Sequence, residues 1–208
     1  MISFEHSDSD SNKVRVHPWI YAESDNSHRY YNFKSEPSLI RTELEDFVPF
    51  SHWPAIQKYF SFLEWLNGIT SELESNDCAF RPIRDNISPN FKKKFECNGR
   101  LMILFRDIGL NVNQSYIDWL NGAIHHYLKQ IDPEFKWGAI GTTQMKAQYL
   151  DLAPPFDKQI GKQIMLTFWA WGDTESEVES NLGRLFDNLR EAIQSISEEI
   201  KAGKDTTK

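Results

Sequence analysis

Two eight-residue segments of this chain nearly coincide. Ser61-Phe62-Leu63-Glu64-Trp65-Leu66-Asn67-Gly68 returns as Ser115-Tyr116-Ile117-Asp118-Trp119-Leu120-Asn121-Gly122, with five positions identical and three exchanged for similar residues. Self-similarity of this kind predicts an internal duplication, with halves at about 53–107 and 115–172. Weaker matches follow one residue out of phase, where Leu73, Asp77, Phe80 and Arg81 face Leu128, Asp132, Phe135 and Lys136. Gly99-Arg100 before one apolar run also resembles Gly161-Lys162 before another. A glycine inside a helix costs about 1 kcal/mol against alanine, so keeping it twice asks for a reason. The expected reason is close approach, with the two helices crossing at Gly68 and Gly122.

The apolar spacing supplies the remaining elements. Ile56, Tyr59, Phe60, Leu63, Leu66 and Ile69 keep a helical period, with Ser51 as the expected N-cap and Pro54 in the first turn. A second helix opens at Ser115 and runs to about Gln130. The third is capped by Thr174, with Glu177 at the capping-box position. Its stripe of Val178, Leu182, Leu185, Leu189, Ile193, Ile196 and Ile200 faces one way. A short helix is expected over 38–47. Strands are expected at 13–21, 29–33, 99–107, 139–152 and 162–171, and 76–98 reads as irregular. This order predicts an α+β fold: an antiparallel or mixed sheet with helices on one face, formed from two pseudo-repeated split-βαβ (ferredoxin-like) halves. Residues 1–203 are expected to form one globular domain and 204–208 a disordered tail.

Hydrophobic residues make up 40% of the 208 and include seven Trp and 14 Phe, ample material for a core. The formal net charge is −7, which disfavours a general nucleic-acid binder. Lys92-Lys93-Lys94 is a basic segment with Phe91 and Phe95 beside it, and it reads as a solvated loop more readily than as an RNA contact. The N-terminus lacks a charged-then-apolar leader, and no apolar run approaches the roughly 20 residues that span a bilayer. A cytoplasmic protein without membrane contact is expected.

Catalytic and metal signatures are missing from the sequence. His125-His126 cannot share an ion from one helix, because adjacent side chains point about 100° apart. Cys78 and Cys97 have no CxxC neighbour and read as reduced thiols. No nucleophile elbow, phosphate loop or dinucleotide fingerprint occurs, so neither a metal nor a cofactor is expected.

The aromatic residues Trp19, Tyr30, Tyr31, Trp53 and Trp137 fall near predicted loops and are the candidate binding residues, because Trp and Tyr are enriched at interface hot spots. The functional expectation is therefore an acidic protein-binding module: an inhibitor, an immunity-type neutraliser or an assembly adaptor. Its expected partner is a protein, a basic one among the options, or a second copy of the chain. The alternative is a small-molecule hydrolase or transferase with Asn67, Asp118, Asn121 and His125 converging between the halves.

Overall fold

In the computed structural model, which describes residues 1–5, 14–18, 32–87, 92–152 and 160–205, two long hairpins form the centre of a mixed sheet. The first hairpin joins β3 (Leu73–Asp85) to β4 (Phe95–Phe105), and the second joins β5 (Gly138–Tyr149) to β6 (Ile160–Gly172). β4 and β6 pair antiparallel along nine residues, from Phe95↔Gly172 to Ile103↔Ile164. Two short strands, β1 (Ile2–Glu5) and β2 (Arg15–His17), both run parallel to β5 on its outer edge. The strand order is β1-β5-β6-β4-β3, with β2 beside β1 on β5.

The helices are α1 (Ile40–Glu43), α2 (Pro54–Asn67), α3 (Gln114–Ile131) and α4 (Glu175–Asp205). α4 packs against both α2 and α3 and against the sheet. Its stripe of Val178, Leu182, Leu185, Leu189, Ile193 and Ile196 is wholly buried in a core with Leu101, Ile103, Ile164, Leu166 and Phe168 from the central strands. The α+β class and the one-sided helix layer follow the sequence expectation. Glu177 accepts from the Asp173 amide at 2.8 Å, and its own amide donates to Thr174 Oγ1 at 3.2 Å, so the expected cap is in place.

Several boundaries differ. Ser51 does not cap α2; Trp53 occupies that position with no side-chain bond, and Pro54 opens the helix. α3 begins one residue before Ser115, because the Asn113 side chain accepts from the Ser115 amide at 3.0 Å. The region 38–47 holds only α1, with 3-10 turns at Pro37–Leu39 and Val48–Phe50. Residues 29–31 lie outside the described residues, and 33–35 form a turn. The stretch read as irregular is the β3–β4 hairpin. Register breaks between Ser75 and Asp77 and between Arg81 and Arg84 erase the alternation that would have marked β3. α4 runs through 204–205, where Lys204 pairs with Glu72 at 2.6 Å.

The duplicated octapeptide occupies different places in the fold. In α2 it forms the C-terminal turns and Gly68 follows the last residue, whereas in α3 it lies in the N-terminal half. Trp65 stands eight residues before β3, but Trp119 stands nineteen before β5. What the copies share is a burial pattern: Leu63, Leu66 and Asn67 are buried, as are Ile117, Leu120 and Asn121. A helix–hairpin order does occur twice, as α2-β3-β4 and α3-β5-β6. Among the described residues the split-βαβ unit occurs once, with β4-α3-β5 enclosing β6.

No crossing of α2 and α3 at their glycines exists. A Cβ on Gly122 would meet nothing within 4 Å, and one on Gly68 would meet only its own helix. Gly122→Ala is therefore expected to stabilise the protein by up to about 1 kcal/mol, read as a higher urea midpoint at unchanged slope. A lower midpoint would mean that something packs closely on this turn.

Candidate functional site

The sheet curls on itself. β2 and β3 stand four steps apart in strand order, which in a flat sheet would separate them by roughly 19 Å. Their side chains nevertheless touch. His17 Nδ1 lies 2.9 Å from Asn76 Oδ1, His17 Nε2 3.4 Å from Glu74 Oε1, and Arg15 Nη1 3.8 Å from Asp77 Oδ2. The face without α-helices is thus concave, and a seam of polar side chains joins its two edges where, among the described residues, no backbone ladder does.

Alternation in the strands places Met102, Met145, Met165, Gln163 and Tyr149 in this hollow, on the side opposite Ile103, Ile164 and Leu166. They are buried although no α-helix among the described residues covers them; the 3-10 turn at Ile108–Val112 packs beside Tyr149. Hydrogen bonds order the polar members: Asn76 Nδ2 donates to Gln163 Oε1 at 2.9 Å, and Tyr149 donates to the Lys162 carbonyl at 2.7 Å. Burial, with Glu74 nearby, pushes the Tyr149 phenol well above its ordinary range.

Glu74 anchors the seam. It is 1% exposed, and Lys34 Nζ donates to both its oxygens at 3.0 and 3.1 Å. Burial pushes this carboxyl upward, yet hydrogen bonds from His17 and Lys34 outweigh it and hold the group below its ordinary 4.5. Beside it, Arg100 Nη2 stands 3.1 Å from Asp77 Oδ2, the same oxygen that Arg15 approaches. Towards the other end of the face, Phe4 stacks on Trp169 at 5.8 Å, where Gly141 of the intervening strand leaves room for both rings.

Of the expected binding aromatics, Trp19, Tyr30 and Tyr31 lie outside the described residues. Trp53 is half-buried against Phe50 and Phe80. Trp137 is partly exposed, and Lys93 Nζ lies 4.5 Å over its ring. The same ammonium reaches Asp173 at 2.5 Å and Glu177 at 3.6 Å, so Lys93 ties the hairpin to the start of α4.

The residues expected to form an enzymatic pocket do not all converge. Asn67 bonds Ser75 and the Leu63 carbonyl between α2 and β3. Asp118, Asn121 and His125 share a strip of α3 over β5. There His125 Nδ1 meets Ser3 Oγ at 2.7 Å, and its Nε2 meets Thr142 Oγ1 at 2.8 Å. Burial, helped by Lys129, lowers the proton affinity of this imidazole, and no carboxylate is hydrogen-bonded to it. Asp118 instead accepts from Gln114 and Gln144. The thiols are poor nucleophiles: burial, with Asp77 nearby, pushes Cys78 up to about 12, and burial raises Cys97 further. Among the described residues no group of three or more His, Cys, Asp or Glu is placed to hold a metal ion.

A second surface lies where the sheet projects past the start of α3. Val16, Gln148 and Ile160 form one cross-strand row, with Lys146 and Lys162 in the row next to it. Arg15 and His17 point into the hollow, so Val16 points to the helix side, where it is 38% exposed and Ile160 55%. Leu150 and Val14 are exposed beside them. A small depression lined by Val112, Gln114, Ile117, Ile160 and Lys162 adjoins this corner.

The outer edge of β3 is blocked against further pairing. Asn67 Oδ1 accepts from the Ser75 amide at 3.2 Å, Asp46 Oδ2 accepts from the Phe80 amide at 3.3 Å, and Pro82 has no amide hydrogen. No helix among the described residues is long and apolar enough to cross a membrane. No protein-family model, curated protein or solved structure matches the chain.

Proposed function

We propose that this chain is a protein-binding module that docks its partner on the corner formed by Val14, Val16, Leu150 and Ile160. The observation that carries the reading is the exposure of these four apolar side chains on adjoining segments. Lys162 lies in the row beside them and donates to Gln144, so a cation borders the corner although the chain carries −7 overall. The partner that fits is a protein segment presenting a carboxylate flanked by apolar side chains. Local charge thus argues for an acidic segment, where net charge alone argued for a basic partner. Dimerisation through a sheet edge is disfavoured at β3 by the side chains of Asn67 and Asp46 and by Pro82. A cytoplasmic adaptor or neutraliser fits these features.

The test compares capture from native extract by the wild type and by Ile160→Glu, at two salt concentrations. Ile160 is exposed, so the variant should keep the wild-type circular dichroism spectrum and melting temperature. A stoichiometric protein held by the wild type, weakened by salt and lost at least tenfold in Ile160→Glu, is the expected result. Capture unchanged by Ile160→Glu, or recovery of only a second copy of the chain, would overturn the proposal.

A further inference from the structure

Buried polar atoms almost always find hydrogen-bond partners in protein or water, so a cluster of atoms without a protein partner marks a place open to a ligand. Three such atoms meet at one place in the concave face: Arg15 Nε, Arg100 Nε and Asp77 Oδ2. The two guanidiniums approach that single Asp77 oxygen at 3.8 and 3.1 Å, and neither contact has hydrogen-bond geometry. Charge is unbalanced as well. Two guanidiniums share one carboxylate, which leaves one positive charge over among the described residues. Glu74 cannot supply the balance, because it is engaged by Lys34 and His17.

We propose that Arg15 and Arg100 form a binding site for a small oxyanion that also carries a hydrogen-bond donor. The three unpartnered atoms define the ligand: two acceptor oxygens for the Nε–H groups, and one O–H or N–H for Asp77 Oδ2. A dihydrogen phosphate and a 2-hydroxycarboxylate both meet this description. A fully ionised phosphate does not, because Asp77 would repel its second charge. The site can be reached, since the Arg100 side chain is 42% exposed and Arg15 25%, while Asp77 below them is 14% exposed. Rotation about the last side-chain bonds turns each guanidinium so that Nε and Nη grip one oxyanion side-on, the strong bidentate mode of arginine. This site is separate from the apolar corner and does not depend on a protein partner.

The test follows the arginine Nε–Hε resonances by NMR while glycolate, acetate or inorganic phosphate is titrated at fixed ionic strength, below pH 7 for the phosphate arm. The expected result is a saturable shift at Arg15 and Arg100, and none at Arg84 or Arg184, which are held by Glu96 and Asp132. Glycolate should bind about tenfold more tightly than acetate, because its hydroxyl satisfies Asp77. Saturation by phosphate alone would assign the site to phosphate chemistry, and by glycolate alone to carboxylates. Arg100→Gln should abolish the shift at Arg15, whereas Asp77→Asn should retain binding. No saturable shift with any anion, equal shifts at all arginines, or binding that survives Arg100→Gln would each overturn the proposal.

Discussion

Glu74→Gln is expected to lower the unfolding free energy at pH 7 by about 3 kcal/mol, a large effect for one change of charge. The variant keeps the side-chain volume but leaves Lys34 and the buried His17 without their shared anion. Removing one partner of a buried pair costs far more than the pair contributes, because the remaining charge stays desolvated. Lys34 is partly exposed, which places the value at the lower end of the range for such losses. The pH dependence has a definite sign. The folded carboxyl lies below its ordinary value of 4.5, so its stabilisation is fully present above that pH. The stabilisation is lost as pH falls from 4.5 through the folded value, and the gap between wild type and variant should narrow there. Urea titrations of both proteins at pH 7, 5 and 3.5 measure it. A gap that stays constant with pH, or falls below 0.5 kcal/mol at pH 7, would show that the seam does not depend on this charge.

That seam was the least legible part of the chain. Periodicity assumes that apolar side chains face a core and polar ones face water. In the hollow this fails, because Glu74, Asn76, His17 and Gln163 are buried or half-buried and bond one another. His17 and Glu74 lie on strands at opposite ends of the sheet order, and nothing local to either residue announces the contact. Arg15 and His17 were visible only as polar residues alternating with Val14 and Val16. By contrast, α4 was legible because seven apolar residues hold one phase over more than six turns. The central strands were legible for a similar reason: an unbroken apolar run such as 101–105 fits a strand covered on both faces.

The octapeptide carries a burial pattern more directly than it carries a place in the fold. Its copies are displaced by eleven residues relative to the following strand, which is about three helical turns. Displacement by whole turns returns the same face to the core. Leu63 and Ile117, and likewise Asn67 and Asn121, therefore have matching burial without matching places in the fold. Trp65 lies 6.4 Å from Phe62 of its own helix, and Trp119 lies 6.4 Å from Phe105 on β4. Both copies lie on amphipathic helices that turn matching positions to the core. The expected crossing failed because each helix found α4 as its neighbour instead.

The Gly99-Arg100 and Gly161-Lys162 resemblance proved more instructive, and it leads to the second large expected effect. Gly99→Ala should destabilise the protein by about 3 kcal/mol or more, at or beyond the upper end of ordinary overpacking. Glycine within a strand usually weakens it by about 0.5–1 kcal/mol against alanine, so the naive expectation has the opposite sign. Space reverses it. A Cβ on Gly99 would stand 2.4 Å from the Ala79 carbonyl oxygen and 2.4 Å from Phe168 Cζ. Phe168 is the cross-strand partner of Gly99 and is itself buried against Tyr59 and Phe186 of the helix layer, so the ring has nowhere to retreat. Gly161 meets the same kind of obstacle, with the Asn111 carbonyl oxygen 2.4 Å from its would-be Cβ. Urea unfolding of Gly99→Ala beside Gly122→Ala gives an internal control, since the same substitution should act in opposite directions. Adding Phe168→Leu to Gly99→Ala should cost less than the two single changes together, because the smaller side chain relieves part of the clash while the Ala79 contact remains. Strict additivity, or a Gly99→Ala effect within 0.5 kcal/mol of zero, would mean that β4 and β6 are not packed through this glycine.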